Sequence, residues 1–507
     1  MIRDLAWKCG QRFIAGFEGT TVPDDLRRLV KEHKVGNIIL FKRNVENRQQ
    51  LRKLCDDLQE LILQETGLPA FIAIDQEGGC VSRLPDDCAI VPTAMALAAT
   101  GDPQNAYDAG VITARELNAL GVNFNLAPVM DVNSNPMNPV IGARSYSDDP
   151  AVVSAFGSAM IKGLEKGGVM SCAKHFPGHG DTAVDSHLGL PKVEKTLEEL
   201  EACELIPFRA AIEAGVSAIM TTHILFPKLE EENLPATMSK TIMQDVLRGR
   251  LGYDGLIVSD CMMMDAIAKF YGPVPGTLAA CNAGVDMICI CHDPALTGQA
   301  CAEVVKNGDS SMTDAAAERI IAAKEKLLAA GDVSIVGCEA HRARNREMRA
   351  ASITRVGAQV PKLGGNPFFV GCFPFVPSLV ASPIERSVCF PEWMQQKFGG
   401  TCMVTEVYPP SASIAAAYKA AKDASCIVLC TFNAHMKQQQ LVLMRALAEL
   451  GKPMVVCAMR DPYDLMKLPE GVCGLLAYEY SLDALEALRP VLAGEMVAEG
   501  KLSVRLS

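Results

Sequence analysis

Along the first 300 residues, short apolar runs rich in Val and Ile are separated by longer stretches in which apolar positions recur at helical spacing. The runs are Arg12–Gly16, Val35–Phe41, Phe71–Asp75, Val122–Ala127, Val169–His175, Val216–His223, Leu256–Asp260 and Val285–Cys291. Short apolar runs bounded by polar segments read as buried strands, and strands alternating with helices read as a parallel sheet covered on both faces. Eight strands close a (β/α)8 barrel, so the pattern predicts a TIM-like barrel. In that fold the site is built at the carboxyl ends of the strands. Those ends carry Asp75, Lys174 with His175, His223 and Asp260.

Residues 294–350 read as helices, Thr313–Ala330 among them, and a second α/β alternation follows. Its strands are expected at Pro367–Phe373, Cys402–Val407, Cys426–Phe432, Met454–Met459 and Val472–Tyr478, and its helices at Ala412–Ala421, Gln438–Leu450 and Leu482–Leu492. The expected division is a catalytic barrel over 1–335, a linker over 336–365, and a smaller αβα sandwich over 366–507. The sandwich carries no Gly-rich phosphate fingerprint, and no fixed-period repeat occurs.

Composition narrows the partners. The 507 residues are 49% apolar and 21% charged, the profile of a chain that fills cores. A net charge of −11 without a block of Lys and Arg gives no footprint for nucleic acid or an anionic membrane. The polar interruptions at Arg3, Asp4, Lys8, Gln11 and Arg12 leave no signal-peptide pattern, and no apolar run is long enough to span a bilayer. Nineteen scattered cysteines argue against a disulfide framework, so a cytoplasmic location is expected. Cys289, Cys291 and His292 read as a buried strand end rather than a soft-metal site, and Cys261 with Met262, Met263 and Met264 as packing. Trp7 and Trp393 are the only tryptophans, so a ligand platform must be mostly polar.

The densest chemistry lies between Lys174 and His187, KHFPGHGDTAVDSH, which holds three of the eight histidines in a segment bent by Pro177, Gly178 and Gly180. Two readings compete. His175, His179, Asp181, Asp185 and His187 suit a zinc or iron site. Equally, one histidine shuttles protons beside a carboxylate that fixes its tautomer, the form Asp185-Ser-His187 takes. His223 either touches the ligand or supports this loop.

Four motifs, in order at strand ends, resemble family 3 glycoside hydrolases, in the β-N-acetylglucosaminidase branch that trims peptidoglycan fragments and in its two-domain Gram-positive form. They are Ile74-Asp-Gln-Glu-Gly-Gly79 with Arg83, Ala127-Pro-Val-Met-Asp131 through Val140-Ile-Gly-Ala-Arg144-Ser145, the Lys174–His187 loop, and Val258-Ser-Asp260 through Asp265. Cys457-Ala-Met-Arg-Asp-Pro-Tyr-Asp464 and Tyr478-Glu479 resemble the second domain more loosely.

The resemblance implies a retaining β-N-acetylglucosaminidase needing no metal or organic cofactor, with a small saccharide partner drawn from muropeptide-type or chitooligosaccharide fragments during cell-wall recycling. It makes Asp260 the nucleophile, His187 the acid/base and Asp185 its orienting partner. It assigns sugar binding to Asp75, Arg83, Arg144, Lys174 and His175. Cys80 departs from the arginine expected after the double glycine. A histidine acid/base carries no negative charge when deprotonated, so phosphorolysis stands beside hydrolysis. A metal-dependent hydrolase and a catalytically silent sugar-binding protein are the rival classes.

Overall fold

The computed structural model describes residues 3–182, 189–375, 381–382 and 386–506. Eight strands close a parallel barrel in chain order: β1 (Phe13–Ala15), β2 (Asn37–Leu40), β3 (Phe71–Ile74), β4 (Phe124–Asn125), β5 (Met170–Phe176), β6 (Ala218–Thr221), β7 (Leu256–Cys261) and β8 (Met287–Ile290). Every apolar run produces its strand, though several are trimmed. Run Val122–Ala127 keeps only a two-residue strand; beyond it Pro128 has no N–H to donate, though Ala127 O and Pro128 O still accept from Cys172 N and Lys174 N of β5 at 2.8 and 3.1 Å.

Two apolar layers hold the barrel. Inside it, Ile14, Ile39, Phe71, Phe124, Met220, Val258 and Met287 pack across the axis, with the Phe71 and Phe124 rings 5.7 Å apart. Outside, the helices cover the sheet with a larger cluster that includes Ile38, Ile72, Ile219 and Ile257. Adjacent residues on one strand thus serve opposite faces, the period-2 alternation of a sheet buried on both sides.

The second domain is a six-stranded sheet in the order β11-β10-β12-β13-β14-β9. Its strands are β9 (Thr354–Gly357), β10 (Pro367–Cys372), β11 (Thr401–Thr405), β12 (Cys426–Thr431), β13 (Met454–Ala458) and β14 (Cys473–Leu476). All pairs are parallel except β14 with β9. Two apolar clusters cover its faces. The stretch 336–365, read as a linker, holds helix α1 (Glu339–Ser352) and the edge strand β9. Most of that helix falls in the stretch 294–350 read as helical, and its Asn345, Met348 and Arg349 are buried. No helix among the described residues is long and apolar enough to cross a membrane.

Candidate active site

A cavity of about 670 Å³ opens at the carboxyl ends of the barrel strands, within the size range of small-molecule sites. Asp75, Arg83, Arg144, Lys174, His175 and Asp260 all line it, so six of the eight sequence-derived candidates converge on one space. Asp185 and His187 lie outside the described residues.

Each side chain arrives by a local device. Asp75 follows β3, whose continuation is pinned by reciprocal bonds, Gln76 N to Asn125 Oδ1 (3.0 Å) and Asn125 Nδ2 to Gln76 O (2.9 Å). Gln76 Oε1 then accepts from Arg83 N at 2.9 Å and Ser82 Oγ at 3.1 Å, folding the loop back so that Arg83 faces the cavity. Arg144 ends the short turn Gly142–Arg144. Lys174 and His175 extend from β5, and the peptide between them is cis. Asp260 stands near the end of β7, its Oδ1 accepting from Cys261 N at 2.7 Å.

Electrostatics tie these groups together. Lys174 Nζ lies 2.7 Å from both Asp75 Oδ1 and Glu77 Oε1. Glu77 also takes Arg144 by both arms of its fork, Nε to Oε2 at 2.8 Å and Nη2 to Oε1 at 2.7 Å. The chain Asp75, Lys174, Glu77, Arg144 alternates in sign and is mostly buried. Burial alone would neutralise Glu77, but Arg144 and Lys174 hold its carboxyl well below the usual range. Burial likewise opposes the Arg144 and Lys174 charges, and the facing carboxylates outweigh it, raising both.

A second unit orients His175. Asp131 is fully buried; its Oδ2 lies 2.7 Å from His175 Nδ1, and its Oδ1 accepts from His179 N at 2.7 Å. Burial works against the Asp131 charge, but His175 and His179 hold its pKa below the usual value. His179 is turned away to Thr182 Oγ1 at 2.8 Å, and burial, reinforced by His175, lowers its pKa to about 4.

Glu77 and Asp131 sit inside motifs singled out from sequence, yet neither was assigned a role. Their long-range partners carry no local signal. His223 does not line the cavity. Its Nε2 lies 3.0 Å from the carbonyl oxygen of Cys261 and its Nδ1 2.9 Å from Thr237 Oγ1, so it braces the end of β7. Among the described residues no group of three His, Cys, Asp or Glu side chains is placed to hold a metal ion. Neither tryptophan lines the cavity, and Trp7 is buried with its indole NH on Thr66 O.

The pattern described as the N terminal domain of glycosyl hydrolase family 3 matches residues 8–323. The chain belongs to glycosyl hydrolase family 3. Within it, the chain is 44% identical over 284 residues to a β-hexosaminidase A of Pseudoalteromonas piscicida, an alignment covering 53% of this chain and 48% of that protein. The chain therefore spans about half the length of that relative. It is 37% identical over 292 residues to a β-hexosaminidase of Thiobacillus denitrificans, covering 56% of this chain and 79% of that one. A solved family 3 β-N-acetylglucosaminidase from Paenibacillus sp. str. FPU-7 is 35% identical, covers 99% of both chains and superposes with a TM-score of 0.91. The likeness of this family 3 chain to that structure spans both of its domains.

Proposed function

We propose that the protein is a retaining exo-β-N-acetylglucosaminidase that removes terminal β-linked GlcNAc from muropeptide-type or chitooligosaccharide fragments in the cytoplasm, as the two-domain form of Gram-positive bacteria. The observation that carries this reading is the convergence of Asp260 with five charged or polar sugar-binding candidates on one cavity. Names of the relatives, the end-to-end likeness to the Paenibacillus enzyme and 19 free cysteines support it.

Asp260 attacks the anomeric carbon, forming a C1–Oδ bond while the C1–O bond to the aglycone breaks and His187 gives its proton to the leaving oxygen. Water then bonds to C1, its proton passes to His187, and the ester breaks to return ionised Asp260. Asp185 orients His187 through both steps. The roles of this pair rest on the family motif, since both lie outside the described residues.

The sugar itself needs donors and acceptors in alternation, which Asp75, Lys174, Arg144 and Arg83 supply. A site built to bond hydroxyls rejects analogues that lack them, because its buried polar groups would be left unpaired. Asp131 holds the His175 ring in one orientation for this task.

The test is chromophore release from an aryl β-N-acetylglucosaminide by the wild type and by Asp260→Asn, in phosphate-free buffer, with and without chelator. Turnover that resists chelator and vanishes in the variant supports the reading. Turnover lost to chelator would favour the metal-dependent hydrolase, and none in the wild type the silent binder. Added phosphate decides the acceptor, since GlcNAc-1-phosphate forms only in phosphorolysis.

A further inference from the structure

The parallel strands of the second domain point their carboxyl ends at the barrel. In an open α/β sheet that edge is where a ligand crevice forms, and here it is occupied by the barrel's own loops. Three contacts fall on the segments that deliver sugar-binding candidates.

Asp461, after β13, accepts from Ala143 N at 2.8 Å inside the buried interface. The turn lies so close that a Cβ on Gly142, whose φ is +49°, would fall 2.4 Å from Asp461 Oδ1, so the position demands glycine. Asn433, after β12, steadies that carboxylate, donating to Asp461 Oδ2 at 3.0 Å while its carbonyl accepts from Arg460 Nη1 at 2.8 Å. Ser382, in the segment after β10, grips the other loop. Its N donates to Cys80 O at 2.8 Å, and its hydroxyl donates to Ser82 O and accepts from Ser82 N and Arg83 Nη1, both at 3.2 Å. Glu479, after β14, backs the double glycine, where a Cβ on Gly79 would lie 2.7 Å from Glu479 Oε2.

We infer that the second domain is a positioning element of the sugar site, in which Ser382 and Asp461 hold the loops that present Arg83 and Arg144 to the cavity. Neither residue touches the sugar. Arg83 approaches the ligand with one arm already fixed by a hydroxyl from the other domain, and Arg144 projects from a turn clamped on a carboxylate. Ala381 reaches the cavity wall itself, so the two domains meet at the rim. A barrel without this partner would carry the same side chains on looser loops and bind the same sugar less well.

The test compares Ser382→Ala with Ser382→Thr, which keeps the hydroxyl, in the full-length protein. Its kinetic arm rests on the proposed glycosidase reading; a second arm, hydrogen exchange at the Ser82 amide, does not. Ser382→Ala is expected to raise KM for the aryl glycoside about tenfold, the worth of one hydrogen bond to a charged group, with kcat changed less than about twofold. Ser82 amide exchange should speed up while the barrel core does not change. Ser382→Thr should restore both. Wild-type KM and wild-type Ser82 exchange in Ser382→Ala would overturn the inference, as would a lowered melting temperature with KM unmoved. If the wild type turns over no aryl glycoside, the glycosidase reading fails by itself and the exchange arm decides: unchanged Ser82 protection overturns the positioning role, and faster exchange supports it.

Discussion

Glu77→Gln removes one charge from the centre of the site while keeping its shape, and its consequence can be worked from the contacts. Glu77 is the shared anion of two cations: Lys174 at 2.7 Å and Arg144 through a two-armed fork at 2.7 and 2.8 Å. The neutral amide leaves Lys174 its second carboxylate, Asp75 at 2.7 Å. Arg144 keeps the carbonyl of Val140 at 3.2 Å and at most one amide oxygen of the new side chain, and loses its paired counter-charge, with Asp131 the remaining carboxylate that favours its charge. Breaking one side of a buried pair costs about 3–5 kcal/mol, and the surviving Asp75 contact puts the expected loss near the lower limit, about 3 kcal/mol. A loosened Arg144 should also cost sugar binding, lowering kcat/KM about tenfold, equivalent to about 1.4 kcal/mol, mainly through KM. Denaturant unfolding and steady-state kinetics on the aryl glycoside measure the two effects. Wild-type stability together with wild-type KM would refute the claim that Glu77 holds the two cations in place.

Two further perturbations reach the His175 unit. The folded-state pKa of His179 is lowered to about 4 against an ordinary 6.5, so its stabilising contribution is complete above pH 6.5 and is lost as pH falls toward 4. The loss is about 3 kcal/mol over that window, and Asp131 and Glu77, both held low, add theirs only at lower pH. Denaturant midpoints from pH 7.5 to 4.5 should fall less steeply in His179→Gln than in the wild type; parallel slopes would be contrary. Asp131→Asn replaces the oxygen that faces His175 Nδ1 or the one that takes two backbone amides. It should lower kcat/KM at least tenfold with the fold retained by circular dichroism, and full activity would remove Asp131 from the site.

The barrel was legible because its strands are buried on both faces and so write continuous apolar runs. The second sheet was legible for the same reason at β10, β12, β13 and β14. Strand β9 was not, because it is a short edge strand whose partner lies more than 100 residues away. At the site, strand-end position was enough to locate Asp75, Lys174, His175 and Asp260. What sequence could not supply was pairing: Glu77 meets Arg144 across 67 positions and His175 meets Asp131 across 44. A carboxylate within a motif looks the same whether it binds sugar or orders a neighbour. Ser382 and Asp461 are further still from their barrel partners, and only the meeting of the two domains gives them meaning.

The mechanism stands or falls on a bond between the sugar and Asp260. Peptide mass spectrometry of the enzyme quenched during turnover of an activated 5-fluoro-N-acetylglucosaminide reads it directly, because fluorine slows both steps and a good leaving group lets the intermediate accumulate. One fluorinated N-acetylhexosamine unit on the peptide containing Asp260, absent from Asp260→Asn, is the expected result. Label on a different residue, or turnover with no labelled enzyme while a water-trapped product of inverted configuration forms, would contradict it.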